Sequence, residues 1–342
     1  MDKRILVTGG CGYIGSHTCK LLARRGFTPV VFDNLSTGNS WAARWGQFVL
    51  GDLRDRTAVR SALETYKIES VIHFASNALV GESIRNPYEY LHDNVSASIT
   101  LFEAMSEVGV DRIVFSSSCA TYGIPESVPI VEIDPQVPVN PYGESKLFIE
   151  RALSWYARAR GLNWVVLRYF NAAGADKSGE IGECHDPETH LIPLVIQAAL
   201  GIRPYVELFG TDYPTPDGTC VRDYVHVEDL ASAHVRALRY LECGGSNTAL
   251  NLGTSRGHSV REVIQAVERV SGHCVPVLAS PRRPGDPPVL ISDARLAQEV
   301  LSWRPTYKTL DDIVRTAWNW HSATSFSKIR TLTQKTAQET RL

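Results

Sequence analysis

The chain has 342 residues, 44% of them apolar and 21% charged, which is enough to bury a sizeable core in two domains or in one large α/β unit with an appended lobe. Its 35 basic and 37 acidic residues leave a net charge of −2. That balance excludes a polyanion such as nucleic acid as a partner and restricts anion binding to local sites.

The first residues, Met1-Asp2-Lys3-Arg4, run straight into a strand without a basic-then-apolar leader. No apolar run is long enough to span a bilayer, so a cytoplasmic location without membrane contact is expected. A buried strand is predicted over residues 3–8. A glycine-rich turn follows, then a helix over about 14–25 and a second strand over 29–32 that ends at Asp33. Further strands are predicted at 48–50, 70–74, 112–116 and 164–167, with helices at 88–108 and 142–160. This alternation predicts an α/β fold, a Rossmann-type doubly wound parallel sheet with helices on both faces. The second half is less regular. Turn-rich segments at 174–187, 210–218 and 281–288 separate helices near 191–200, 227–241, 259–270 and 310–320. It reads as a smaller C-terminal α/β lobe that supplies loops to a cleft. Residues 322–342 form a polar tail, expected to fray. The seven cysteines are odd in number and contain no Cys-x-x-Cys pair, so free thiols in a reducing compartment are expected, with no disulfide frame and no metal site.

The turn Gly9-Gly10-Cys11-Gly12-Tyr13-Ile14-Gly15 carries Gly-x-x-Gly-x-x-Gly spacing between a strand and a helix. One glycine makes the tight turn, one lets a pyrophosphate approach the backbone, and one lets helix and strand pack closely. The phosphates then sit at the positive end of the helix. Asp33 lies eighteen residues beyond Gly15, at the end of the second strand. A carboxylate there accepts hydrogen bonds from an adenosine ribose and repels a 2′-phosphate, which favours NAD over NADP. Asp52, placed at the end of the third strand, is in position to meet the adenine amino group or to serve only its own turn. Residues 1–171 are therefore read as the NAD-binding domain, with segments around 225–255 returning to it, and 172–321 as the main substrate lobe.

Tyr142 and Lys146 form a Tyr-x-x-x-Lys pair behind Asn140-Pro141, which have the character of an N-cap and a first-turn proline. A spacing of four puts both side chains on one helix face. An ammonium beside a phenol favours the phenolate and is expected to lower the tyrosine toward working pH. Such a tyrosine can remove a hydroxyl proton while hydride leaves the adjacent carbon for a nicotinamide. Ser116-Ser117-Ser118 follow the predicted strand at its C-terminal end, which faces the ligand crevice in an open parallel sheet. A serine hydroxyl there can bond the reacting oxygen.

Several stretches together are similar to the motifs of the UDP-glucose 4-epimerases in the extended short-chain dehydrogenase/reductase family. They are Thr8–His17, His73-Phe74-Ala75, Val80-Gly81-Glu82-Ser83, Asn140–Lys146, Arg168-Tyr169-Phe170-Asn171 and Val221-Arg222-Asp223-Tyr224. The similarity continues through Pro187–Pro193, Asp217-Gly218-Thr219 and Arg282–Asp286, and runs to about His321. The resemblance implies an isomerase that interconverts UDP-glucose and UDP-galactose through a transient 4-keto sugar. It implies Tyr142 as general base and acid, Lys146 as its activator and a ribose ligand, and Ser118 as the hydroxyl partner. Around NAD it implies Gly9, Gly12, Tyr13, Ile14, Gly15, Asp33, Asn34, Asp52, Leu53, Phe74, Ala75, Asn94 and Ser116, with Tyr169 near the nicotinamide. Around the UDP-sugar it implies Asn171, His190, Leu191 and Leu290, with Phe209 near uracil, Arg222 and Arg283 clamping the diphosphate, and Asp286 on the uridine ribose. It further implies a homodimer, paired through the helices at 88–108 and 142–160.

The chain also departs from the pattern. Cys119-Ala120-Thr121-Tyr122 stand where many relatives have Ala-Thr-Val-Tyr, which displaces the threonine. Ala78 stands where many relatives carry a cofactor-binding lysine. Leu290 matches a sugar-pocket position where a tyrosine excludes N-acetylated sugars and a small residue admits them, and leucine is intermediate. A 4,6-dehydratase needs acidic residues just after the catalytic Ser or Thr, where this chain has Cys119 and Ala120. A UDP-pentose or UDP-uronate 4-epimerase remains open on sequence, as does a non-catalytic NAD-binding regulator.

Overall fold

The computed structural model describes residues 3–283 and 285–323. The tail reading therefore lies almost wholly outside the described residues. Seven parallel strands make the main sheet: β1 (Arg4–Thr8), β2 (Thr28–Asp33), β3 (Gln47–Leu50), β4 (Ser70–His73), β5 (Arg112–Ser118), β6 (Asn163–Tyr169) and, from much later in the chain, Thr248–Leu252. Between β6 and that last strand come β7 (Asn171–Ala173), β8 (Val206–Phe209) and β9 (Val221–His226), so Thr248–Leu252 is β10. The spatial order is β10-β6-β5-β4-β1-β2-β3. β1 is an interior strand, with Leu6 opposite Val30 on one side and Val71 on the other.

Strand side chains alternate between faces, and β1 shows what this does. Ile5 and Val7 join one buried cluster with Cys19, Leu22, Leu230 and Leu238. Leu6 joins the other with Leu63, Leu101, Phe102 and Ile149. Helices Tyr13–Arg24 and Val227–Glu242 thus cover one face. Helices Arg56–Thr65, Ala97–Val108 and Pro141–Arg160 cover the other. Each fully buried aliphatic side chain contributes about 1.5–3 kcal/mol, which makes two-sided burial of a parallel sheet the dominant stabilising term.

The remaining strands are β11 (Gly257–Ser259), β12 (Val277–Ser280) and β13 (Val289–Leu290). β9 is flanked by β11 and β13 and also pairs with β7, while β12 pairs with β8. A third core, with Ile192, Val195, Val263, Val267, Ile313 and Val314, holds helices Leu191–Ala199, Val260–Ser271 and Leu310–Ser322 together.

Helix ends follow local chemistry. Asn140 Oδ1 accepts from the Gly143 amide at 2.9 Å, Pro141 occupies the first turn, and Gly161 ends the helix in a left-handed conformation. The predicted helix over 88–108 is instead broken. A short helix Pro87–Glu89 runs into a π-type segment, Tyr90–Ser96, before Ala97–Val108. The Asn94 amide stabilises this widened turn: it accepts from the Asn77 amide at 2.7 Å and donates to Ser145 Oγ at 3.0 Å.

His17, His73, His226 and His234 are buried, and burial pushes their imidazoles down to about 4, 3, 3 and 4. Unfolded histidine takes a proton near 6.5. Between that value and the folded values the unfolded chain binds more protons, so the stability these groups contribute is complete above about 6.5 and is lost as pH falls toward 4. Urea unfolding midpoints are expected to drop progressively from pH 7 to pH 4.5. A midpoint that holds or rises over that range contradicts this assignment.

Candidate active site

The glycine turn is shaped by contacts that leave no room for side chains. Gly9 adopts φ +69, and a Cβ there would stand 2.6 Å from the Ala75 amide nitrogen. A Cβ on Gly15 would stand 2.3 Å from the Gly9 carbonyl oxygen, so helix Tyr13–Arg24 lies directly on the turn. Gly12 is the N-cap of that helix, with no side-chain cap and no acidic residue in the first turn. The first-turn amides at Tyr13, Ile14 and Gly15 therefore present an open positive helix end, suited to a pyrophosphate. Tyr13 Oη donates to the Gly174 carbonyl at 2.5 Å and fixes the start of the helix against the chain beyond β7.

Asp33 ends β2 beside this turn. It accepts from the Cys11 amide at 2.9 Å and the Leu35 amide at 2.8 Å, and burial raises its carboxyl pKa. β3 ends at Leu50, so Asp52 lies in the turn beyond and not at the strand end. It is gripped by Arg54 at 2.7 Å and by the Asn34 amide at 3.0 Å, and the Arg54 hydrogen bonds hold it well below the usual carboxylate range. Leu53 is buried just behind it. Phe74 and Ala75 follow β4, with the Phe74 ring 4.5 Å from that of His234. These groups lie at the C-terminal ends of β1, β2 and β4 and in the turn after β3. Asn94 sits deeper, its amide fully engaged with Asn77 and Ser145.

Tyr142 and Lys146 lie in the first turns of helix Pro141–Arg160, both buried. Lys146 Nζ donates to the Ser116 carbonyl at 3.0 Å and lies 5.7 Å from the centre of the Tyr142 ring. Ser118 caps the short turn Cys119–Thr121, its Oγ accepting from the Ala120 amide at 3.1 Å. Ser116 Oγ meets Tyr169 Oη at 2.6 Å. The three side chains predicted for the chemistry, Tyr142, Lys146 and Ser118, thus lie with Ser116 and Tyr169 around the C-terminal ends of β5 and β6. One expectation is reversed. Burial raises the Tyr142 phenol instead of lowering it, opposed by the neighbouring Ser118 hydroxyl, and burial pushes Lys146 down to about 7. The reason is desolvation: both charged forms are penalised in this enclosed pair. Burial also pushes Tyr169 up to about 12.

The substrate-side residues lie on the lobe strands and loops. Asn171 begins β7, opposite Tyr224 of β9. Phe209 ends β8, and the Arg283 guanidinium stacks over its ring at 3.9 Å. Arg222 on β9 pairs with Asp286 at 2.7 Å, so two residues assigned to different parts of the nucleotide hold each other. Leu290 of β13 lies opposite Arg222 and packs on Cys119, Tyr122, Ile130 and Phe170. His190 caps helix Leu191–Ala199 without a side-chain capping bond, and its Nδ1 is turned toward Glu183 and Glu188.

The chain matches the model of the NAD dependent epimerase/dehydratase family over residues 5–253. It is 51% identical over 317 residues to the UDP-glucose 4-epimerase of Halalkalibacterium halodurans, covering 93% of this chain and 95% of that one. The chain belongs to the NAD dependent epimerase/dehydratase family. A crystal structure of UDP-glucose 4-epimerase from Brucella ovis in complex with NAD superposes with a TM-score of 0.91 at 52% identity, covering 93% of this chain and 98% of that chain. One from Stenotrophomonas maltophila, with bound NAD and formylated UDP-arabinopyranose, superposes with a TM-score of 0.91 at 42% identity, covering 95% and 99%.

Within this family frame, two departures acquire a structural account. Thr121 is buried and donates to the Ser118 carbonyl at 3.0 Å, so the displaced threonine braces the backbone of the serine run. Ala78 is exposed, and its methyl offers no polar contact. Sequence reasoning missed the support beneath the site. Arg168 NH2 meets Glu150 Oε2 at 2.7 Å, Ser117 Oγ donates to Glu150 Oε1 at 2.5 Å, and Arg168 NH1 donates to Tyr122 Oη at 2.8 Å. The signal available was Glu150 one helical turn beyond Lys146, at i+4, in a helix whose inward residues, Tyr142 and Lys146 apart, are otherwise apolar or small. It missed also the Glu and His residues of 183–190 as a group.

Gly15→Ala is expected to push the helix off its turn. Overpacking of this kind costs about 1–3 kcal/mol. The purified variant should retain less NAD than the wild type, read by absorbance of the acid-released cofactor. Unchanged stability and NAD content would contradict the packing described for Gly15.

Proposed function

We propose that this chain is an NAD-dependent isomerase that interconverts UDP-glucose and UDP-galactose through a transient 4-keto sugar. One juxtaposition carries the reading: Tyr142, Lys146 and Ser118 are buried where helix Pro141–Arg160 meets the C-terminal end of β5, in the same parallel sheet whose β1 runs into an uncapped helix. Relatives at about half identity over nearly the whole chain are UDP-glucose 4-epimerases. The positions after Ser118 are Cys119 and Ala120, so no acid stands ready to expel water as a dehydratase requires.

Gly9, Gly12, Tyr13, Ile14 and Gly15 hold the pyrophosphate of NAD, Asp33 its adenosine ribose, and Asn34, Asp52 and Leu53 flank the adenine. Phe74, Ala75 and Ser116 line the path to the nicotinamide, Tyr169 borders it, and Asn94 supports the wall. Bound NAD supplies the acceptor and donor for the hydride at carbon 4. Tyr142 Oη takes the proton from the 4-hydroxyl and later returns it. Lys146, when it carries its ammonium charge, offsets part of the burial that raises the Tyr142 phenol, and Ser118 Oγ hydrogen-bonds the reacting oxygen. Arg222 and Arg283 hold the diphosphate, Asn171, His190 and Leu191 flank it, and Phe209 and Asp286 hold the uridine. Phe209 and Arg222 lie on lobe strands and Arg283 and Asp286 in the loop between β12 and β13, outside the helix that carries Tyr142, so the nucleotide is fixed while a flat keto sugar turns about its tether. Residues 1–171, with 225–255, serve NAD, and 172–321 mainly serve the UDP-sugar. Because a Stenotrophomonas relative was solved with a formylated UDP-arabinopyranose, UDP-pentoses are a second substrate class to test, and Leu290 leaves UDP-GlcNAc for the same assay.

Untagged protein incubated with UDP-galactose and no added cofactor is expected to form UDP-glucose. Tyr142→Phe removes the proton carrier, which is worth about 10²–10⁴-fold in rate. That variant should keep its bound NAD while turnover falls by this factor. Equal turnover by Tyr142→Phe sinks the mechanism, and activity only on UDP-xylose or UDP-glucuronate moves the substrate assignment.

We read the chain as a cytoplasmic homodimer. No helix among the described residues is long and apolar enough to cross a membrane. Leu91, Ile99, Phe148 and Trp155 are exposed apolar side chains on the segments Tyr90–Ser96, Ala97–Val108 and Pro141–Arg160. A partner copy placing the same helices against them buries these side chains. Trp155→Glu should shift the mass in analytical ultracentrifugation from dimer to monomer. A wild-type monomer refutes the pairing.

A further inference from the structure

Four side chains of one eight-residue loop converge, three of them unused above and the fourth, His190, named only as a flank of the diphosphate. Glu183, His185, Glu188 and His190 each offer one ligand atom, and these atoms all lie within 4.8 Å of one another. His185 Nδ1 stands 3.2 Å from Glu183 Oε1 and 3.8 Å from Glu188 Oε2. His190 Nδ1 stands 2.8 Å from Glu183 Oε1 and 3.1 Å from Glu188 Oε1. Donor atoms about 2.0–2.1 Å from a tetrahedral metal stand about 3.3 Å apart, and the two histidine nitrogens, 3.2 and 2.8 Å from Glu183 Oε1, lie near that spacing.

A second observation points the same way. Glu183 is only 3% exposed, yet its Oε1, aimed into the cluster, has no hydrogen bond of acceptable geometry. His185 Nδ1 is likewise buried without one. His190 Nδ1 also hydrogen-bonds Glu188 Oε1 at 3.1 Å, which holds these two side chains together before an ion is present. The groups are also held in place from outside. Glu188 Oε1 accepts from the Thr189 and His190 amides at 2.8 and 2.9 Å. The Glu183 carbonyl accepts from Trp320 Nε1 at 2.9 Å, and the Cys184 carbonyl from Asn39 Nδ2 at 3.0 Å. Such outer contacts orient ligands before an ion arrives. His185 and His190 are partly exposed, which leaves an entry path.

We propose that Glu183, His185, Glu188 and His190 form a structural site for a divalent transition metal of the zinc class. Two imidazole nitrogens favour such an ion over magnesium or calcium, and two carboxylates balance its charge. A closed four-ligand set with no open position is structural, not catalytic. Its place gives it a task. The His185 ring lies edge-on to Tyr13, 6.3 Å away, and Tyr13 opens the phosphate-binding helix. His190 caps the helix Leu191–Ala199 of the lobe. An ion here clips the loop that touches both. The inference stands on the loop's geometry and is independent of the sugar assigned above.

The test uses the full-length, untagged protein, stripped with EDTA and desalted. Titration with Zn²⁺ against a chromophoric chelator should give about one ion per chain, and Co²⁺ should give the intense visible bands of a tetrahedral site. Glu183→Gln and His185→Ala should each weaken Zn²⁺ at least about tenfold, whereas His273→Ala, at an exposed histidine elsewhere, should not. Zn²⁺ should raise the wild-type Tm by a few degrees and leave that of folded His185→Ala unmoved. This last comparison still reads the site if Glu183→Gln fails to fold. A stripped wild type that binds no Zn²⁺, or a His185→Ala protein that binds it as tightly, overturns the proposal.

Discussion

The pair formed by Glu150 and Arg168 in the dry interior is the interaction on which the site depends. Two charges removed from water are favourable only when geometry is good and the leftover hydrogen-bonding capacity is filled. Here it is filled. Arg168 reaches both carboxylate oxygens, the Tyr122 hydroxyl and the Glu132 carbonyl, while Ser117 and Gln136 complete Glu150. The consequence is positional. Glu150 is on the helix that carries Tyr142 and Lys146, Ser117 is between Ser116 and Ser118 on β5, and Arg168 precedes Tyr169 on β6. One network therefore sets the helix and both strands in register, and Tyr122 extends it to Asn251 of β10 at 2.8 Å. The reacting side chains are held by a polar bolt whose removal on one side leaves a bare buried charge.

Around that bolt, electrostatics are governed by enclosure more than by pairing. The spacing of Tyr142 and Lys146 states only that the two side chains share a helix face. How strongly each resists ionisation depends on what covers them, namely Tyr90, Tyr169, Cys119 and the sheet. A phenol raised by burial and an amine lowered to about 7 keep the cofactor-free pair close to neutral. Asp33 follows the same rule, since burial raises it although two backbone amides bond it.

Much of this was legible in the residue order because it is local. The apolar run within Arg4–Thr8, a glycine turn with fixed spacing, and Asn140-Pro141 before a helix each encode their own conformation. What was missed depends on partners distant in the chain. β7, β11 and β13 have two or three residues each and exist only because β9 pairs with them. The break within 88–108 arises because Asn94 bonds Asn77 and Ser145, contacts that no helical period announces. The Glu183–His190 cluster carries no cysteine pair to announce a ligand set, and its four side chains meet only through the folding of their loop.

The return of the chain to the main sheet has a further meaning. β10 completes the edge beside β6 after the lobe strands β7, β8 and β9 have been made. A fragment cut at residue 171 would leave the amide and carbonyl row of Asn163–Tyr169 bare, a flat apolar border that invites the strands of other chains. The two halves are thus interleaved, not strung together. The border strand arrives last from the ribosome, and until it docks the nascent polypeptide carries a sticky rim.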